Sequence, residues 1–519
     1  METSILSSLR NPIRYGQISG LGRESVRGQR QDGAVAVVFA VALIGLIGIC
    51  GLALDLAVVY NRKVEMRNVA DAAALNAARR LNGTATGIND AVTAAAAAAT
   101  SLRYQYDRTT IAWSASAIRF STSPDRNGDW VDAGTAAATA ARIFYVKVDT
   151  SQLDSAGDVQ TMLMPVLNST FATVTANSDA IAGRTSIDVA PLAVCAMSTD
   201  PALPRTNSAS YVELVEYGFR RGVSYDLMNL NPGLNPGTVA TANFVVNPIA
   251  PPGTAGSAND VLPSAVGPYV CTGTLDIPRL AGDTIAVAQP FPLPFLYKQL
   301  NSRFDQYVDG LCNFNAAPPD INVRSYDTSI TLPWMNTTVP GRHQTADCNG
   351  GAAGVACTPP TTTITKLQTI ADLPPPGGTA AQYGPLWTYA KAVPFSAYVS
   401  GVPEPSPNGY APFLTASWPT LYGGQAARIT YPSGSSTPYK AGSGVNFLAP
   451  GAAHKPGAKD RRVLNVPLLS CSVAPGNTAT VLAIGRFFMT VPATATSLAA
   501  EFAGAVPLQY IDGRVSLFP

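Results

Sequence analysis

The sequence predicts an α+β protein carried by one N-terminal transmembrane helix. Three observations support this. Residues 34–54 form a run of 21 residues without a charge, enough at about 1.5 Å per residue to cross a bilayer core. Helical periodicity then continues past that run, with no Pro or Gly from Asp55 until Gly83. Further on, the pattern turns to short alternating segments broken by Gly, Pro, Asn and Asp, as strands and turns require.

The totals agree with this class. The chain has 519 residues, room for roughly two or three domains. Only 13% of residues are charged, while Gly (44) and Pro (42) are plentiful and His is nearly absent (2). Such a composition suits an extracytoplasmic β-rich chain better than a cytosolic enzyme. A hydrophobic share of 46% is too high for wholesale disorder. The net charge of +2, with no basic run beyond the N-terminus, gives no case for nucleic acid.

Residues 1–32 read as a basic cytoplasmic tail, with Arg10, Arg14, Arg23, Arg27 and Arg30 on the inner side of the span. Arg62, Lys63 and Arg67 beyond the span weaken that bias. The span reads as an uncleaved anchor, because it outlasts a signal-peptide core and runs on into a helix. Bulky Ile49 before Cys50 makes a poor lipobox, and Val38 stands where prepilin-type cleavage after Gly33 needs Glu.

Residues 33–83 read as one helix, half in lipid and half a stalk, ended by Asn82-Gly83. Met66, Ala70, Ala73 and Ala77 recur three or four apart and form one stripe. Small side chains there let another backbone approach closely. Asp55 either lies at headgroup level or pairs with Arg62 of a neighbouring subunit or an analogous base on a partner. Asp71 has the same option in the stalk, where such charges would fix helix register.

Gly33-Ala34, the span, Leu54-Asp55-Leu56, Tyr60, Arg62 and residues 68–75 (NVADAAAL) resemble the N-terminal module of TadG-like proteins. These belong to the TadE/TadG family of the bacterial Flp (tight-adherence) pilus-assembly system. Less specifically, residues 301–305 (NSRFD), 461–467 (RRVLNVP) with Cys471, 485–489 (GRFFM) and 501–504 (EFAG) look like segments of TadG-like C-terminal regions. The resemblance is confined to roughly a tenth of the chain plus these pieces. It implies a non-enzymatic structural component of pilus assembly in the inner membrane, N-terminus cytoplasmic and bulk periplasmic. It also implies a helix interface of Asp55, Arg62, Ala70, Asp71, Ala73 and Ala77 towards TadE-like or pilin-like partners. The von Willebrand A domain of some relatives is not expected, because neither Asp149 nor Asp327 opens an Asp-x-Ser-x-Ser motif. Other readings are an envelope-anchored adhesin or binding module and, with less support, an anchored envelope hydrolase.

Downstream, residues 88–104 predict a second helix capped by Asn89 or Asp90. Strands are expected at 110–121, 141–150 and 171–183, with a turn at Asp125-Arg126-Asn127-Gly128-Asp129. A membrane helix, a second helix and a few strands make a pilin-like layout, so a small α+β domain is expected over 84–190. From 191 to 519 a mainly-β region with long loops follows. Its strands are expected at 211–216, 239–246, 461–469 and 478–488. Residues 294–308 are its one expected helix, and 341–382 and 431–460 are expected loops. Residues 461–489 read as a hairpin turning at Ala474-Pro475-Gly476-Asn477. No fixed-period repeat occurs.

Cys50 lies in the span, and Cys195, Cys271, Cys312, Cys348, Cys357 and Cys471 all follow it. An even set on one side of a membrane suggests disulfides in an oxidising compartment, with 15 possible pairings. Only Cys348–Cys357 is suggested by proximity, and free buried thiols are the other reading. No nucleophile elbow, zinc-protease helix, Walker loop or dinucleotide fingerprint is present. His343 and His454 lie in loop-like stretches with nothing in sequence to orient them. Cys348 and Cys357 lack the Cys-x-x-Cys spacing of a zinc site. Asp125, Asn127, Asp129 and Asp132 have Trp130 and Ala136 where a calcium loop needs Gly and an acid. No cofactor, metal or small-molecule substrate is expected.

Overall fold

The computed structural model describes residues 32–104, 108–154, 156–228, 230–231, 242–280, 284–326, 343–344, 386–400, 402, 404–405, 409–421, 434, 436–471, 478–506, 511 and 513–519. The chain divides into two compact units. One contains the described residues up to Tyr60 with Val159–Val174, and the other contains Asn61–Asp158 with Thr175–Pro519.

An apolar N-terminal helix precedes a largely β-rich region, the α+β class expected. The helix α1 (Asp32–Arg80) is continuous over 49 residues. Arg79 and Arg80 occupy its last turn, where cations offset the negative end of the helix dipole. Gly83 beyond it takes the left-handed φ of 82°, as the Asn-Gly stop requires. In α2 (Ala85–Ser101) the cap is Thr84, whose side chain accepts the Gly87 N–H at 3.0 Å. The expected caps Asn89 and Asp90 instead lie inside the helix. The helix starts earlier because Asn82 Oδ1 braces Thr84, accepting from its N–H and its hydroxyl.

The following elements are β1 (Arg103–Tyr104), β2 (Thr109–Thr110), β3 (Ile118–Ser121), α3 (Ala133–Ala138), β4 (Tyr145–Asp149), β5 (Asp158–Gln160), α4 (Met164–Leu167), β6 (Thr173–Thr175) and β7 (Asp179–Ile187). The Asp125–Asp129 turn forms as expected, with Gly128 N–H donating to the Asp125 carbonyl.

The β-rich region contributes β8 (Leu192–Cys195), β9 (Leu203–Ser208), β10 (Tyr211–Glu216), β11 (Phe219–Arg220), β12 (Ser224–Asp226), β13 (Leu230–Asn231) and β14 (Asn243–Val246). Then come α5 (Pro263–Thr272), β15 (Thr284–Ala288), α6 (Leu293–Leu300), β16 (His343–Gln344), α7 (Trp418–Leu421), β17 (Val463–Leu469), β18 (Thr478–Met489), β19 (Ala499–Val506) and β20 (Gly513–Phe518).

Two cores organise the larger unit. The first lies against a four-stranded antiparallel sheet of order β20-β7-β4-β3. It is rich in alanine: Ala70, Ala73, Ala77, Ala91, Ala95, Ala99 and Ala182 are buried with Phe120, Val146 and Val148. The second is built on a seven-stranded sheet, β12-β19-β18-β15-β14-β8-β17, in which β17 also pairs with β18. That extra pairing closes β18, β15, β14, β8 and β17 into a ring. Large side chains fill this core, among them Phe219, Tyr225, Trp387, Phe487, Phe488 and Phe502.

The structure differs from expectation at three places. The small sheet does not end near residue 190: β20 returns to pair with β7, from Gly513↔Ile187 to Phe518↔Ile181. The β-rich region is thus inserted between two neighbouring strands of the small sheet. It also holds a helix the sequence hid, α5, whose ten residues contain Gly267 and Pro268. Pro263 starts it and Gly273 ends it with a φ of 78°. The helix expected at 294–308 is shorter. It comprises α6 and a 3-10 turn at Asn301–Phe304, stopped by Asp305 at a φ of 65°. Strands β10, β17 and β18 match expectation closely. The hairpin turn 474–477 and most of the loop 341–382 lie outside the described residues.

Candidate functional site

The helix α1 carries most of the residues singled out from sequence. It is long and apolar enough over Ala36–Arg80 to be a candidate membrane span. Side chains 36–50 are all exposed, with Phe39 at 67%, Ile44 at 70% and Ile49 at 72%. Further along, buried positions recur at Gly51, Asp55, Arg62, Met66, Val69, Ala70, Ala73 and Ala77. That spacing is one face of a helix.

In the smaller unit, that face meets residues 161–172. The Asp55 carboxylate is 4% exposed. It accepts the successive backbone N–H groups of Met162, Leu163 and Met164 at 2.9, 2.8 and 2.7 Å. A carboxylate accepting three N–H groups is well satisfied without an opposite charge. Gly51, one turn earlier, is filled by Leu163: a Cβ there would stand 2.1 Å from Leu163 Cδ1. Within this chain, the partner of Asp55 is the backbone of residues 162–164.

In the larger unit, Arg62 is 4% exposed. Its guanidinium donates to the Ala156 carbonyl at 2.7 Å, the Asp158 carbonyl at 3.2 Å and Glu65 at 3.1 Å. It also stacks on Tyr104, 4.5 Å from the ring centre. Ala70, Ala73 and Ala77 are 0% exposed in the alanine-rich core. Asp71 lies beside that face and pairs with Arg67 at 3.7 Å, a partly exposed pair of small energetic weight. The stripe that the sequence offers to a partner is covered here by the chain itself.

Four of the six candidate cysteines form disulfides, Cys195–Cys471 and Cys271–Cys312. Cys348 and Cys357 lie outside the described residues. Cys50 is exposed and unpaired. His454 is oriented after all: Nδ1 lies 2.5 Å from Asp305 Oδ1, and the ring packs between Tyr307 and Phe314. Sequence did not show this because Asp305 is 149 residues away. The side chain of His343 is outside the described set. Among the described residues no group of three or more His, Cys, Asp or Glu is placed to hold a metal.

Sequence reading also missed a set of buried charges. Glu213 and Arg220 form a fully enclosed pair at 2.8 Å. Arg221 binds Glu216 at 2.5 Å and Glu404 at 2.9 Å, and Arg486 binds Glu404 at 2.8 Å. Glu404 is held below the usual carboxylate range by the Arg221 and Arg486 guanidiniums, which outweigh its burial. Glu501 accepts from Thr388, Tyr389 and Ala390 N–H groups. Burial outweighs those bonds and pushes it up to about 7. The available signal was the segment YVELVEYGFRRG, where two Glu and two Arg flank a Tyr-Gly turn. Tyr217 and Gly218 there take φ of 50° and 81°, closing the β10–β11 hairpin.

Comparison with known proteins bears on the helix. Residues 33–80 match the family model Tad, described as Putative Flp pilus-assembly TadE/G-like. No curated protein and no solved structure matches the chain. The residues matched span α1 almost end to end, and they are the TadE/G-like part of this chain.

Proposed function

We propose that this chain is a single-pass, non-enzymatic structural component of an Flp-type pilus-assembly machine. Its N-terminus is cytoplasmic and its bulk lies in the periplasm. The observation that carries the reading is the TadE/G-like match falling on one helix, whose apolar half is exposed. Two disulfides among residues 195–471 support an oxidising compartment for the β-rich region. The basic residues before the span support the orientation. Because Ala70, Ala73 and Ala77 are covered by the chain's own core, docking to TadE-like or pilin-like helices is assigned to the lipid-level part of α1.

A photo-reactive residue replacing Ile44, on that exposed part, tests the docking in cells by mass identification of the trapped species. A TadE-like or pilin-like helix is the expected adduct. Lipid adducts alone would reduce α1 to a tether and move the weight to an anchored adhesin or binding module. The same probe at Ala73 would report only this chain's own core.

A further inference from the structure

We infer that residues 161–172 are a second membrane contact, an apolar excursion that lies in the bilayer surface beside α1. The inference rests on the reading of 34–54 as a membrane span. Four observations support it.

The first is composition. No charged residue occurs between Asp158 and Asp179. The excursion exposes Met162 at 85%, Val166 at 82%, Phe171 at 47% and Leu163 at 37%, beside the uncharged polar Asn168, Ser169 and Thr170. Large apolar groups concentrated in one short segment call for a non-aqueous neighbour.

The second is depth. Leu163 packs on Gly51, which lies inside the uncharged run that ends at Leu54. At about 1.5 Å per residue, Leu163 meets the helix roughly one turn inside the apolar segment. The excursion is therefore continuous with the surface already assigned to lipid.

The third is the state of its backbone. Non-helical chain enters a bilayer only when its polar groups are paired. Asp55 takes the N–H groups of residues 162–164, and residue 165 is proline. Thr161 N–H donates to the Ala172 carbonyl, Val166 to Leu163, Asn168 to Met164 and Phe171 to Asn168. Thr170 N–H donates to Asn168 Oδ1, and the Thr161 hydroxyl donates to the Phe171 carbonyl at 2.5 Å.

The fourth is that the excursion is built, not loose. Its ends are the paired strands β5 and β6, and α4 with a following 3-10 turn at Ser169–Ala172 shapes its tip. A lipid surface suits these features better than a protein groove, because Leu163 meets the helix inside its uncharged run.

The test uses the full chain in nanodiscs of phosphatidylethanolamine and phosphatidylglycerol. Cys50, Cys348 and Cys357 are replaced by Ser, and single cysteines at Val166, Met162, Ile44 or Asn127 carry a polarity-sensitive fluorophore. Lipids bearing a doxyl quencher either near the headgroup or near the chain end report depth. The expected result is blue-shifted emission at positions 162 and 166, quenched more by the shallow doxyl than by the deep one. The label at Ile44 is expected to be quenched by the deep doxyl, and the label on the Asn127 turn by neither. Quenching at Ile44 with none at 162 and 166 overturns the inference and leaves the span standing. Quenching at none of the three overturns the span reading and the inference with it. A blue shift at 166 without doxyl quenching means a second copy of the chain covers the segment, and overturns the lipid assignment.

Discussion

The two cores of the larger unit solve the same problem with opposite materials. Around β20-β7-β4-β3 the interior is mostly alanine. Each side chain buries little surface there, and stability depends on backbones lying close together. Around the closed ring of the β-rich region the interior is aromatic: Phe219 stacks on Phe502 at 5.3 Å and meets Phe487 edge-on at 5.4 Å. The difference teaches what each region tolerates. The alanine core should resist truncation and fail on enlargement, and the aromatic core the reverse.

The largest effect should come from the aromatic side. Phe487→Ala is expected to destabilise the β-rich region by about 3–5 kcal/mol. The fluorescence of buried Trp387 and Trp418, stacked edge-on at 5.0 Å, can follow its denaturant unfolding. A loss under about 1 kcal/mol would mean the ring closes without its aromatic filling.

Replacing Cys195 and Cys471 together by Ala should cost about 2–5 kcal/mol, read as a lower thermal midpoint. The bond joins residues 276 apart, but β8 and β17 already pair there through Leu469↔Cys195. An unchanged midpoint would show that strand pairing alone holds this junction.

Ala73→Leu is expected to cost about 1–3 kcal/mol by overpacking, whereas Ala73→Gly should cost only about 1 kcal/mol, a helix-propensity loss. Protease resistance of residues 84–190 reads both. If the glycine variant proved the worse of the two, the alanine core would not be a close-approach core.

The most local effect concerns Glu501. Its pKa is raised to about 7 in the folded chain, so the folded state holds a proton that the unfolded state has already released. Its contribution to stability is complete below the ordinary Glu pKa and declines as pH rises towards about 7. Relative to Glu501→Gln, the native chain should lose stability across that window. Parallel pH profiles for the two proteins would rule out the raised pKa.

Much of this was legible in the chain, and the gaps have physical causes. A period of three to four on α1 says that a face is buried, and the structure buries it. Periodicity does not say what covers the face, so Ala70, Ala73 and Ala77 read equally well as a partner's docking stripe. Asp55 was conspicuous because an acid beside an apolar run costs energy unless satisfied. Its acceptors' partners lie more than a hundred residues on, beyond any local pattern. The helix α5 was masked by its own Gly267 and Pro268, whose propensities tertiary packing overrides. The Glu213–Arg220 pair left a trace in its hairpin, whereas Arg62 against Tyr104 left none. The return of β20 to β7 had no local signal, since pairing across such a separation depends on everything folded between.

That return has a consequence for biosynthesis. The strand β7 is made early, yet its neighbour β20 emerges more than three hundred residues later. Until then one edge of the small sheet presents unpaired N–H and C=O groups, a template for wrong partners. Completion of the domain nearest α1 in sequence is therefore timed by synthesis of the whole inserted region. A chain stalled within 191–512 leaves that edge open.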